Sequence, residues 1–336
     1  MESKMKAVIC TKYGPPEVLK LVEIDKPQPE SDDEVLIRNF GTSINTVDIL
    51  HRGGKAPKVA FWGLRQILGV LLRLTEFGGL RKPKQKIVGG GFVGEILSVG
   101  KDVTDWNVGD HVYGYSEKGG ASAEYMAVPS NVLAKKPTNL NFQEAAAVPG
   151  GSTPALVAFR DLATPKKGDK VLIIGASGGI GTFAVQMAKN VYGAEVTGVC
   201  GPTNVDMVKE IGADFVIDYT KEDYTKSDIT YDIILDVVSA QNLSKCKKIL
   251  SSEGTYIANN PISSPKSLFH MMTNNKRFKT GTADESAAAM NLIREWIEDG
   301  KIKPVIDTVY PLSQTADAHR HYETGRSKGR VVISIE

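Results

Sequence analysis

The chain has little that would tie it to a metal, a membrane or a polyanion. Its 336 residues include only three cysteines, Cys10, Cys200 and Cys246. They lie far apart and in no C-x-x-C pair, which argues against a structural zinc lobe or a disulfide framework. The five histidines, His51, His111, His270, His319 and His321, show no ligand spacing, so no metal site is expected. Lysine plus arginine outnumber aspartate plus glutamate by 41 to 39. A charge so balanced does not mark nucleic acid or an anionic membrane as the main partner. The N-terminus, MESKMKAVIC, lacks the apolar core of a secretory signal, and a cytoplasmic protein is expected. No uncharged apolar run reaches the roughly 18 residues of an integral membrane segment. The nearest is Val59–Leu80, interrupted by Arg65, Arg73 and Glu76. Its leucines share one helical face. That fits a helix packed on the body, a flap lining an apolar pocket, or a peripheral membrane contact.

What is present is organised around Lys170–Cys200, which reads strand, glycine turn, helix, strand. Val171-Leu172-Ile173-Ile174 is a short β-branched run fit for a buried parallel strand. Gly175, Gly178 and Gly181 follow in a G-x-x-G-x-x-G pattern. Phe183, Ala184, Met187, Ala188 and Val191 then mark one helical face. Glycines let the backbone turn sharply and approach a pyrophosphate, and the helix N-terminus presents unpaired N–H groups and a positive dipole end. The flanking strands supply the context that makes such a motif specific.

The length argues for two domains. Residues Met5 to Val128 carry short strands between Gly/Pro turns, the texture of a barrel or sandwich. From Asn141 the texture turns helical, and from Lys170 strands and helices alternate, as in a parallel sheet covered on both faces. Expected elements include helices over Phe142–Val148, Thr153–Leu162, Val205–Ile211, Leu243–Leu250 and Ala287–Glu298. The segment from Pro304 to Glu336 returns to strand texture.

This layout resembles the medium-chain dehydrogenase/reductase superfamily, and within it the zinc-independent quinone oxidoreductases and alkenal/enone reductases. The resemblance rests on Ser43-Ile44-Asn45-Thr46-Val47-Asp48, Val108-Gly109-Asp110-His111-Val112, and Gly119-Gly120 with Ala123-Glu124-Tyr125. It rests equally on Gly175-Ala176-Ser177-Gly178-Gly179-Ile180-Gly181, Gly212-Ala213-Asp214 through Tyr219, Gly300 to Val305, and Gly329-Arg330-Val331-Val332. It implies an α/β fold: a GroES-like β-rich domain over 1–128 and 304–336, and a Rossmann doubly wound domain over 129–303. It also implies a homodimer, formed through an edge strand near Phe278 to Thr282.

The zinc-dependent relatives place a Cys and a His-Glu pair where this chain has Ser43, Asn45 and Gly89-Gly90-Gly91. Direct hydride transfer from a reduced nicotinamide to a quinone or an α,β-unsaturated carbonyl is therefore expected. Asn45 is the candidate donor beside the nicotinamide, or a turn-capping Asn. Asp48 reads as a helix N-terminal acid. Thr153 matches a family Thr at the nicotinamide end and also suits an N-cap before Pro154.

Cofactor choice turns on the loop after the second strand. Cys200-Gly201-Pro202-Thr203-Asn204 holds no acid for ribose hydroxyls, which favours a 2′-phosphate and hence NADPH. By resemblance, Ser177, Gly178, Gly179, Ile180, Gly201, Thr203, Asn204, Ser239 and Asn259 line the cofactor. Tyr219 matches the phosphate-contacting Tyr, and Lys328 and Arg330 match basic residues near the adenosine end. Gly91 stands where relatives tend to carry an acid, and three successive glycines are expected to loosen this loop. Two alternatives stay open. One is an enoyl-thioester reductase, with Arg65, Arg73, Arg81 and Lys82 at the pocket mouth. The other is an NADPH-binding structural or regulatory protein without turnover.

Overall fold

A computed structural model describes residues 3–54, 83, 86–240, 243–259, 269–270 and 277–336. The apolar stretch Val59–Leu80 and the basic residues Arg65, Arg73, Arg81 and Lys82 lie outside them. In chain order the first strands are β1 (Lys4–Cys10), β2 (Leu19–Asp25), β3 (Glu34–Ser43), β4 (Gly91–Val99), β5 (His111–Tyr115), β6 (Tyr125–Pro129) and β7 (Leu133–Lys135). Then come β8 (Lys170–Ile174), β9 (Glu195–Cys200), β10 (Phe215–Asp218), β11 (Tyr231–Asp236), β12 (Leu250–Ala258) and β13 (Phe278–Lys279). The last two are β14 (Ile306–Pro311) and β15 (Arg330–Ser334).

One sheet runs β10-β9-β8-β11-β12-β13, and every neighbouring pair in it is parallel. Strand order reverses between β8 and β11, and such a switch point opens a ligand crevice at the carboxyl ends of the strands. Burial explains why β8 lies near the middle: Val171, Leu172 and Ile173 are fully buried and Ile174 nearly so. Phe183, Ala184, Met187 and Ala188 on the following helix are also fully buried. Each large apolar side chain so placed contributes about 1.5–3 kcal/mol before the entropy of ordering is subtracted.

The second sheet runs β14-β15-β3-β4-β5-β7, with β6 also on β3. Here β15, from the far end of the chain, lies antiparallel on β3 with Val332 opposite Ser43. This register brings Arg330 close to the loop that leaves β3.

Local differences from the sequence reading have physical causes. Thr315–Glu323 is a helix where strand texture was expected. Its buried positions are Thr315, Ala318 and His319, a helical spacing whose two polar members conceal it. The helix expected over Leu243–Leu250 covers only Leu243–Cys246, and Leu250 opens β12. There the Arg277 guanidinium collects the carbonyls of Leu250, Ser251 and Gly254. The helix over Ala287–Glu298 has its expected bounds, capped by the Ser286 hydroxyl accepting from Ala289 N–H.

Candidate active site

The glycine turn is built by contacts that exclude side chains. Gly175 has φ +87°, in the region that favours glycine. A Cβ on Gly181 would stand 2.1 Å from Gly175 O, so helix and turn touch backbone to backbone. Gly178 differs: a Cβ there would meet only Gly175 O, at an ordinary 3.6 Å. The space above Gly178 is open. The lead into β15 runs beside the turn, with Gly329 N–H donating to Ser177 O at 2.8 Å.

Around the turn's outer end lie several of the expected cofactor residues. Asn204 Nδ2 donates to Ser177 Oγ at 3.1 Å, and Thr203 Oγ1 donates to Asn204 Oδ1 at 3.3 Å. The Tyr219 ring is 60% exposed and its hydroxyl comes within 3.5 Å of where a Gly201 Cβ would stand. Lys328 is exposed just before Gly329. An acid from β10, Asp218, is nearby, but the Thr220 hydroxyl and N–H and the Lys221 ammonium engage it. Those contacts hold its carboxyl below the usual carboxylate range. On the other side of the crevice, Asn259 N–H donates to Asp236 O at 3.1 Å, and Ser239 has φ +54°. Ile180, Val237, Ala258, Asn259 and Gly281 line a cavity of about 20 Å³ there.

A second cluster forms where the two sheets meet. Asn45 precedes the helix Thr46–Gly53, and its N–H donates to Asp48 Oδ2 at 2.7 Å, so Asp48 is the helix N-terminal acid expected. Asn45 Nδ2 donates to Ser43 O at 3.0 Å. Its Oδ1 accepts from Arg330 Nη2 at 2.9 Å, and the same nitrogen reaches Ser43 Oγ at 2.6 Å and Pro149 O at 3.0 Å. Arg330, expected near the adenosine end by resemblance, thus reaches Ser43, Asn45 and Pro149. Its guanidinium crosses from the glycine turn, where a Gly179 Cβ would lie 3.0 Å from Cδ and Nη1, to Asn45. Strand β15 aims it there because Val332 pairs with Ser43. Arg330 is 3% exposed, and its Nε has no partner among the described residues.

Thr153 is not an N-cap. Gly151 holds that place in the helix Ser152–Val157, and Thr153 Oγ1 donates to Glu285 Oε1 at 2.7 Å. Glu285 was not anticipated, because Asp284-Glu285-Ser286 reads as an ordinary helix entry. Its other oxygen is buried with no close hydrogen bond among the described residues, and burial pushes its carboxyl up to about 7 despite Thr153, Arg330 and the Gly150 N–H. Burial likewise raises Asp48 to about 6, against its hydrogen bonds and Arg330. Nor does the three-glycine loop sit loosely. Gly89 has φ +91°, a Gly90 Cβ would lie 2.5 Å from the Tyr115 ring, and a Gly91 Cβ would lie 3.1 Å from Pro149. Glycine is needed there for close packing.

Known proteins resemble this chain in sequence and fold. Residues 31–138 match the alcohol dehydrogenase GroES-like domain, and residues 211–333 match the family described as zinc-binding dehydrogenase. A 2-methylene-furan-3-one reductase from Solanum lycopersicum is 32% identical over 98% of this chain and 79% of its own. The quinone oxidoreductase of Mus musculus is 29% identical over 98% of both chains. The chain belongs to the quinone oxidoreductase and enone reductase-like family of medium-chain dehydrogenases/reductases. A solved quinone oxidoreductase from Coxiella burnetii superposes with a TM-score of 0.85, at 26% identity, over 99% of this chain and 100% of its own.

Membership makes this an oxidoreductase fold with a nicotinamide-nucleotide cofactor. The residues fit that group: Gly178 leaves open space at the turn, and the buried Arg330 Nε beside it lacks a partner among the described residues. Among the described residues, no cluster of three or more His, Cys, Asp or Glu has the arrangement of a metal site. No helix among them is long and apolar enough to cross a membrane.

Proposed function

We propose that this protein is an NADPH-dependent reductase that passes a hydride, without zinc, to a quinone or an α,β-unsaturated carbonyl. The observation that carries this reading is the donor set at the seam. Ser43, Asn45 and Arg330 bond one another there. A hydroxyl, an amide and a guanidinium are poor zinc ligands and good partners for a developing oxyanion. A relative from Arabidopsis thaliana, 31% identical over 98% of this chain, is named an NADPH-dependent alkenal/one oxidoreductase. The acid-free Gly201–Asn204 loop, exposed Tyr219 and Lys328 favour the 2′-phosphate of NADPH.

When bound, the nicotinamide supplies the hydride. Ser177 to Ile180 and Thr203 would hold the phosphates and ribose. Ser239 and Asn259 would line the crevice wall, and Thr153 and Asn45 its inner end. Arg330 supplies positive potential at that end. Burial lowers its pKa from the ordinary arginine value, a value high enough that the guanidinium keeps its charge. A second copy would pair at β13, the sheet's edge strand among the described residues.

The test is loss of NADPH absorbance against a panel of a quinone, an alkenal and an enoyl-CoA, with and without chelator. Turnover of the first two, indifferent to chelator, is the expected result. Turnover of enoyl-CoA alone would make the protein an enoyl-thioester reductase. Tight NADPH binding with no turnover would make it a binding protein.

A further inference from the structure

Tyr115 ends β5, opposite Gly91 on β4. The hydroxyl end of its ring lies against Gly90: a Cβ there would be 2.5 Å from Cζ and 2.8 Å from the hydroxyl oxygen. Ser116 N–H donates to Gly90 O at 2.8 Å, which fixes the strand end against the loop. The side chain is half-buried. Its hydroxyl makes no hydrogen bond among the described residues and is not one of the buried atoms left without a partner, so it is open to solvent and to a ligand's oxygen. The charged groups facing it are Asp48, Glu285, Arg330 and Glu117, and the first three belong to the seam around Asn45.

We infer that the Tyr115 hydroxyl is a hydrogen-bond donor to the oxygen of the carbonyl acceptor, with Gly90 present to let the ring lie there. The inference rests on the reductase reading above. Hydride arrives at an acceptor carbon, the displaced electron pair comes to rest on the acceptor oxygen, and the cofactor is oxidised. Tyr115 O–H donates to that oxyanion and keeps its proton, while the proton the product needs comes from solvent. Burial, with Asp48 and Glu285 next, raises the phenol well above the ordinary tyrosine value, so it remains a donor at neutral pH. Arg330 supplies the positive charge, and an oxyanion beside Asp48 and Glu285 is best tolerated when those acids are protonated.

Two measurements on the full-length protein decide it. Tyr115→Phe removes one oxygen and keeps the ring. It should lower kcat with an alkenal about a hundredfold, leave NADPH affinity unchanged, and weaken binding of para-nitrophenolate to the protein with NADP⁺. Gly90→Ala, which pushes the ring aside, should reproduce both losses. If Tyr115→Phe keeps wild-type kcat and phenolate affinity while the wild type turns over, the inference fails and the reductase reading stands. If the wild type reduces no acceptor but Tyr115→Phe still loses phenolate, the reductase reading fails and the oxyanion site stands. Loss of NADPH affinity in Tyr115→Phe would make its role structural and overturn the inference.

Discussion

The glycine turn and the seam around Asn45 are built on opposite principles. The turn is local. Gly175 to Gly181 follow one another, and their geometry comes from missing side chains and backbone contact. The seam is assembled from afar: Arg330 meets Asn45 across 285 positions, and Thr153 meets Glu285 across 132. It depends on buried polar groups whose charge states respond to one another. The turn thus fails by steric overlap and the seam by electrostatics, and single substitutions can separate the two.

The largest effect is expected at Gly181. An alanine Cβ would overlap Gly175 O and Ala176, so Gly181→Ala should cost about 3 kcal/mol or more, read by denaturant unfolding. Wild-type stability would show that the turn relaxes easily, and the contrast with the seam would collapse. Next comes Gly178, which has room for a methyl group in the free protein. Gly178→Ala should unfold within about 0.5 kcal/mol of wild type yet bind NADPH at least about tenfold more weakly, a loss of roughly 1.4 kcal/mol. Equal affinity would show that no phosphate comes close there.

Glu285 probes the seam through pH. Its carboxyl is raised from 4.5 to about 7 in the fold, so the folded state keeps this proton to higher pH than the unfolded chain. The group's contribution is fully present below the unfolded value and is lost as pH rises towards 7. Glu285→Gln does not titrate, so its unfolding free energy relative to wild type should improve across that window, by about 2–3 kcal/mol at most. A pH-independent difference would mean that the fold does not raise the Glu285 carboxyl above its unfolded value. The smallest effect is expected at the exposed rim, where Tyr219→Phe should weaken NADPH a few-fold, about 0.5–1 kcal/mol, and leave NADH unchanged. Equal changes for both cofactors would remove the 2′-phosphate from that corner.

Much of the turn was legible because strand β8, the glycines and the helix after them are consecutive, and burial follows their apolar period. Asp48 and the helix Ala287–Glu298 were legible for the same reason, since a cap and its helix are neighbours in sequence. For Thr153 the sequence offers a nicotinamide-end residue or a cap; the cap rule is local, whereas its acceptor, Glu285, comes from a distant segment. Arg330 is expected near the adenosine end by resemblance, and its guanidinium reaches Asn45. Its residue type marked it as an anion partner, but its direction depends on the register of β15 against β3. Tyr115 carried no signal, since an aromatic at a strand end is ordinary until Gly90 is seen beneath it.

The sequence by itself determined the two kinds of sheet, the glycine turn and the absence of an acid in the loop after β9, because each depends on periodicity or spacing within a few dozen residues. Tertiary structure alone decided which buried groups share one low-dielectric seam. Asp48, Thr153, Glu285 and Arg330 come from separate elements, and only strand register and interdomain packing bury the two carboxyls, which raises them, and bring Arg330 near enough to oppose that rise.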